Sequence, residues 1–163
     1  MKNTKKIAIL SMTVAVAMIL SFIESQIPPL VAIPGVKIGL ANIAIVFALY
    51  KFGVKEAIIV SLIRLFLISL LFGNFASMLY GLGGAVLSLT AMILLKKLTP
   101  LSAVGVSVAG GVCHNIGQII VAAIVMSTDK ILIYLPVLII SGSIAGVVIG
   151  LLGGILATRI KLK

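Results

Sequence analysis

Six apolar runs, punctuated by lysine clusters that recur after every second run, constrain this chain more than any motif it carries. A helix needs roughly 20 apolar residues to cross a bilayer. The runs predict helices over about 7–27, 38–50, 57–72, 76–95, 103–126 and 131–158. Together they occupy nearly all of the 163 residues, so a single transmembrane domain is expected over 1–163, with no room for a soluble catalytic domain. The expected fold class is an all-α membrane bundle. Composition supports it: 10% of the residues are charged, against about a quarter in a soluble domain, so the chain could not cover itself in water.

The basic residues orient the bundle. Lys2, Lys5 and Lys6 precede the first run, Lys51 and Lys55 follow the second, Lys96 and Lys97 follow the fourth, and Arg159, Lys161 and Lys163 close the last. The alternate connections carry only Lys37 and Lys130, while Arg64 lies inside a run. Ten against two marks the richer side as cytoplasmic and puts both termini there, as expected of a multi-pass protein of the cell membrane. The net charge of +10 is therefore an orientation signal; no continuous basic stripe exists to bind nucleic acid. The expected partners are the lipid bilayer and a small molecule.

The first run also resembles a signal peptide, with Ala15-Val16-Ala17 as a cleavage site, but it stays apolar through Met18, Ile19, Leu20, Phe22 and Ile23. It is long enough to span and is read as retained. Pro28-Pro29 ends it, because proline removes a backbone donor and fixes an extended turn. The second run is short. At ~1.5 Å per residue it crosses only part of the hydrocarbon, so the preceding Pro34-Gly35 loop dips inward or neighbouring helices support the stub. Short, Pro/Gly-interrupted segments point to binding sites in transporters, and here they point to residues 28–42.

Polar side chains in hydrocarbon are costly and so are functional candidates. Glu24, Lys37, Asn42, Arg64, Asn74, His114, Asn115 and Gln118 all fall at mid-depth or in the outer half, which predicts a substrate pocket opening outward. Each also has a structural reading. Glu24 can pair with Lys37 or Arg64, and Lys37 can anchor at the interface. Asn42 and Asn115 can bond helix to helix. Asn74 beside Gly73 suits a turn, and His114 shares a helix face with Gln118 without the convergent ligands that zinc requires. Gly142, Gly146, Gly150 and Gly154, at four-residue spacing, make a smooth ridge for close helix packing. Ser11, Ala15, Ala17 and Ser21 form a weaker small-residue stripe on the first helix.

Several chemistries are excluded. No G-x-x-x-x-G-K-[ST] loop, G-x-S-x-G elbow, H-E-x-x-H or C-x-x-C occurs. The lone Cys113 reads as a packing residue. With one aspartate and two glutamates, paired-carboxylate catalysis is not expected; no catalytic residue, metal or cofactor is assigned.

The stretch Glu24-Ser25-Gln26-Ile27-Pro28-Pro29, followed by Pro34-Gly35-Val36-Lys37-Ile38-Gly39-Leu40-Ala41-Asn42-Ile43, resembles the signature of the Gx transporter family, membrane proteins labelled heptaprenyl diphosphate synthase component I. That family is similar in architecture to the substrate-binding S components of energy-coupling factor transporters, six-helix proteins that capture a vitamin near the outer face. The resemblance implies substrate capture by the signature loop and the outer half of the bundle, with a vitamin- or flavin-like ligand. It implies as partner either an energy-coupling transmembrane/ATPase module or another membrane subunit of a prenyl or flavin-based electron-transfer system. The alanine-rich docking stripe of S components is only approximated by Ser11, Ala15 and Ala17. Prenyl diphosphate synthases hold magnesium with aspartate-rich motifs, whereas Asp129 is the one aspartate here, so the resemblance does not make this chain the catalytic one.

Overall fold

A computed structural model of the chain describes residues 3–26, 39–73 and 75–160. Lys37, Asn74 and the proline-rich segment ahead of residue 39 lie outside the described residues. The elements are α1 (Asn3–Gln26), α2 (Asn42–Lys51), α3 (Val54–Phe72), α4 (Phe75–Leu98), α5 (Ala103–Val125), a 3-10 helix (Lys130–Tyr134) and α6 (Leu135–Arg159). Among the described residues the fold is all-α. Four stretches, Thr4–Gln26, Phe75–Leu98, Ala103–Val125 and Lys130–Arg159, are long and apolar enough to cross a membrane. The 19 residues of α3 reach about 28 Å, also near the hydrocarbon thickness.

Alternate helix ends meet on one face. The Lys6 ammonium pairs with Glu56, joining the starts of α1 and α3. Lys96 Nζ donates to the Leu49 carbonyl at 2.5 Å and Lys51 Nζ to the Ala157 carbonyl at 2.9 Å, joining the ends of α2, α4 and α6. Lysines thus gather where the helices of opposite direction begin and end, on the face expected from the sequence to be cytoplasmic. At the other end of the α1–α3 pair, the Phe22 and Phe72 rings sit 5.1 Å apart, so these two helices run parallel.

Local geometry shifts some of the expected boundaries. The second helix starts at Asn42 rather than near residue 38, because Gly39 has φ +79° and its carbonyl accepts the Asn42 N–H at 2.8 Å, closing a turn. Gly53, at φ +121°, turns the chain directly from α2 into α3, a conformation that favours glycine. The last run is divided: its first five residues wind as a 3-10 helix, and Pro136 falls in the first turn of α6, where its missing N–H costs nothing.

The stub α2 is the hub. At ~1.5 Å per residue, its ten residues reach about 15 Å, half the hydrocarbon thickness. Ile43 through Leu49 are all buried, packed against Ala57 and Val60 of α3, Leu89 and Met92 of α4, Val106 of α5 and Ile149 of α6. The longer helices turn large side chains such as Met12, Phe66, Leu70 and Ile144 outward, where lipid would solvate them. The α5–α6 seam is backbone against backbone. A Cβ on Gly146 would lie 2.5 Å from Val108 Cα, and one on Gly150 would lie 2.6 Å from Val104 Cα. Gly142 faces the Gly111 carbonyl, whereas Gly154 meets only the Ala103 side chain.

Candidate functional site

Because α2 fills only the lysine-rich half, the described residues leave space beyond its N-terminus. A cavity of about 350 Å³ occupies it, with residues from all six helices on its wall. That is within the usual range for small-molecule sites. Glu24 comes from α1, Asn42 from the start of α2 and Arg64 from α3, while His114, Asn115 and Gln118 come from α5. Six of the eight polar residues singled out in the sequence therefore meet around one cavity. Lys37 and Asn74 lie outside the described residues.

Each side chain has an identifiable local reason for its place. The Glu24 carboxylate accepts the backbone N–H of Gly39, which ties the outer end of α1 to the head of α2. Gly39 needs its left-handed conformation there, and a Cβ on it would crowd Asn42 Nδ2 at 3.1 Å. Asn115 Nδ2 donates to the Leu138 carbonyl at 2.7 Å, holding α5 against the first turn of α6. His114 and Gln118 lie over Gly84 of α4; a Cβ at that position would stand 2.8 Å from both His114 Cε1 and Gln118 Cγ. His114 and Gln118 thus occupy space that α4 vacates by having glycine.

Arg64 is the exception. Its Nε is buried and has no hydrogen-bond partner among the described residues, although the charge of Glu24 acts on it. Beneath it lies a second space of about 10 Å³, bounded by Asn42, Ser61, Arg64, Ser88 and His114. It has room for about one water molecule. Ser61 Oγ is also buried without a partner among the described residues, so polar groups flank this space on several sides.

Sequence reasoning missed part of the wall. Ser21, Ser25, Ser69 and Ser77 add hydroxyls, and Leu65, Ile68 and Phe72 make an apolar side along α3. Their only sequence signal is a four- to eight-residue spacing from Arg64 for Ile68, Phe72 and, at the neighbouring position, Ser69. Beyond that, and beyond the place of Ser21 in the small-residue stripe and of Ser25 in the signature stretch, the serines gave none, because helical serines commonly bond to their own backbone, as Ser25 does to the Phe22 carbonyl at 2.7 Å.

The side chains of the wall are suited to recognition. One cation, two amides besides Asn42, an imidazole and several hydroxyls can orient a ligand that carries an anionic group and an apolar body. Magnesium-diphosphate chemistry does not fit the residues: Glu24 stands at the cavity, Glu56 at the lysine-rich end of α3 and Asp129 beyond α5. Among the described residues, no three of His, Cys, Asp and Glu come together to hold a metal ion.

Comparison with curated proteins and with solved structures yields no match. The sequence does match one family across most of its length, from the middle of α1 to the last turns of α6. Over residues 13–156 this chain belongs to the family described as heptaprenyl diphosphate synthase component I.

Proposed function

We propose that this protein is a substrate-binding component of a membrane transporter in the cell membrane, capturing a small anionic, vitamin- or flavin-like molecule in the outward cavity. The observation that carries the reading is Arg64: a guanidinium nitrogen buried without a partner among the described residues, on the wall of a cavity that could hold a ligand. A desolvated cation is expensive unless something pairs with it, and an anionic ligand group would do so. The half-helix α2 supports the same reading, because its N-terminus carries the positive end of the helix dipole to mid-depth, as broken helices do in transporters. S components of energy-coupling factor transporters would be the functional analogue.

The test is retention of a small molecule during purification in mild detergent, read by mass spectrometry, followed by binding of that molecule to the parent chain and to Asn42→Ala and Arg64→Gln. Binding weakened by tenfold or more in Arg64→Gln, on the order of 1.4 kcal/mol or above, is expected. Equal binding by the parent and both variants would place the ligand elsewhere.

The family description favours one second reading, because "component I" names a part of a larger assembly. The chain would then be a non-catalytic membrane subunit that recruits a prenyl diphosphate synthase or an electron-transfer partner. The three acidic residues stand too far apart for metal-dependent catalysis by this chain itself, which supports a non-enzymatic role. Co-purification of a soluble synthase with no retained small molecule would favour this reading over the first.

A further inference from the structure

The cavity already contains an anion of its own. Glu24 enters it from α1 and accepts the N–H of Gly39, the amide at the head of α2. The Asn42, Ile43 and Ala44 N–H groups are taken by the Gly39, Leu40 and Ala41 carbonyls, so what α2 offers at this spot is the positive end of its dipole. Arg64, with its unpartnered Nε, lines the cavity from α3 and feels the charge of Glu24 without forming an ion pair with it among the described residues. Three features that attract an anion, the Gly39 amide, the positive end of a helix dipole and a guanidinium, therefore converge where a glutamate is now held.

We infer that Glu24 is a resident stand-in for the anionic group of the ligand, and that binding displaces its carboxylate from the Gly39 amide. This inference rests on the reading of the cavity as an anion-capturing site. Two negative charges within a few ångströms repel, so ligand and Glu24 cannot share the head of α2 at full strength. While the cavity is empty, Glu24 gives the helix N-terminus and Arg64 a counter-charge. It also ties α1 to α2 at the outer end. An arriving anion takes over both roles, which frees α1 from Gly39, so occupancy of the cavity is coupled to a hydrogen bond that links these two helices there. His114 of α5 and Asn42 of α2 complete the polar surroundings of the spot.

Sulfate is a suitable probe, because it stays dianionic across the pH range in which the protein is handled. Calorimetric titration of sulfate into the full chain in mild detergent should give weak binding, and Glu24→Gln should tighten it by about tenfold or more, since the amide keeps an acceptor for Gly39 but removes the competing charge. Adding Arg64→Gln to that variant should abolish the gain. A second measurement needs no variant: with only three acidic side chains in the chain, the infrared carboxylate band is simple, and sulfate should shift the component assigned to Glu24. Equal affinity in the parent and Glu24→Gln, with a still carboxylate band, would overturn the displacement while leaving the anion site standing. Weaker binding in Glu24→Gln would also overturn it, by making Glu24 a ligand contact. Sulfate binding in neither protein, or binding that survives Arg64→Gln, would remove the anion site and this inference with it.

Discussion

The two halves of the bundle are built on opposite principles. Toward the lysine-rich face, α2 plugs the centre, and Leu49, Val46, Val60 and Val106 are almost wholly buried around it. Toward the other face the same ring of helices encloses a cavity of about 350 Å³, walled by amides, hydroxyls and one guanidinium. The difference comes from a single shortage of length: α2 has ten residues where its neighbours have 19 to 25. A half-length helix fills one half and leaves the other for a ligand. Packing in the filled half is therefore expected to set stability, and the hollow half to set binding with little effect on stability.

The sharpest way to break this comparison is at the α5–α6 seam, which borders both halves. Gly146→Leu should cost about 3 kcal/mol, because its side chain would have to start 2.5 Å from Val108 Cα and 2.9 Å from the Ser107 carbonyl oxygen, and backbone cannot yield. Gly154→Leu, which meets only the Ala103 Cβ at 3.2 Å, should cost less than about 1 kcal/mol. Thermal unfolding in mild detergent compares them. Equal losses would show that the seam is not set by backbone contact.

The seam also marks what could be read from sequence. Four glycines in one register announced a ridge, because a repeat of four keeps residues on one helix face. The groove that receives it did not announce itself: Gly111 comes opposite Gly142 only through the antiparallel pairing of α5 and α6. The meeting of Glu24, Asn42, Arg64, His114, Asn115 and Gln118 was legible for a different reason. In a chain so apolar, few polar groups exist, and each needs company away from lipid. The head of α2 was placed several residues early, since apolarity continues through Ile38 and Leu40 while the turn at Gly39 depends on a backbone dihedral. The serine and apolar walls carried little signal beyond the spacing of Ile68, Ser69 and Phe72 from Arg64, because both residue types are ordinary on membrane helices.

Within the filled half, Leu49→Ala should cost about 2 kcal/mol. That is the low end for a buried leucine, because a chain unfolded within a micelle already shields the side chain from water and only the packing loss remains. Ile68→Ala on the cavity wall should cost less than about 1 kcal/mol, since its neighbour on one side is already empty space. A cost for Ile68→Ala matching that of Leu49→Ala would mean that the hollow half is closed up in solution.

Arg64→Met probes the hollow half directly. Removing a buried guanidinium nitrogen that has no partner among the described residues relieves a desolvation cost, while losing the counter-charge of Glu24 adds one. The net change in stability is expected within about 1 kcal/mol, of either sign, and sulfate binding is expected to vanish. A variant that unfolds instead would assign Arg64 to structure, and the comparison between halves would fail at its central residue.

The smallest effect is expected where α1 meets the rest of the bundle. Among the described residues α1 packs only on α2 and α3, and its two ends are held differently. At the outer end it has the Phe22–Phe72 ring contact and the Glu24–Gly39 hydrogen bond; at the lysine-rich end it has the Lys6–Glu56 pair. With Lys6 about 38% exposed, water and salt screen that pair, so Glu56→Gln should cost no more than about 0.5 kcal/mol, less in high salt. Phe22→Ala, which leaves the ion pair intact and removes ring contact beside the cavity, should cost more, about 1 kcal/mol. Unfolding of both variants in low and high salt separates the two ends. If the ion pair proves the stronger, α1 is anchored at the filled half and free to swing at the hollow one. If the rings prove the stronger, the wall of the cavity holds itself, and displacement of Glu24 loosens a contact that has a second fastening beside it.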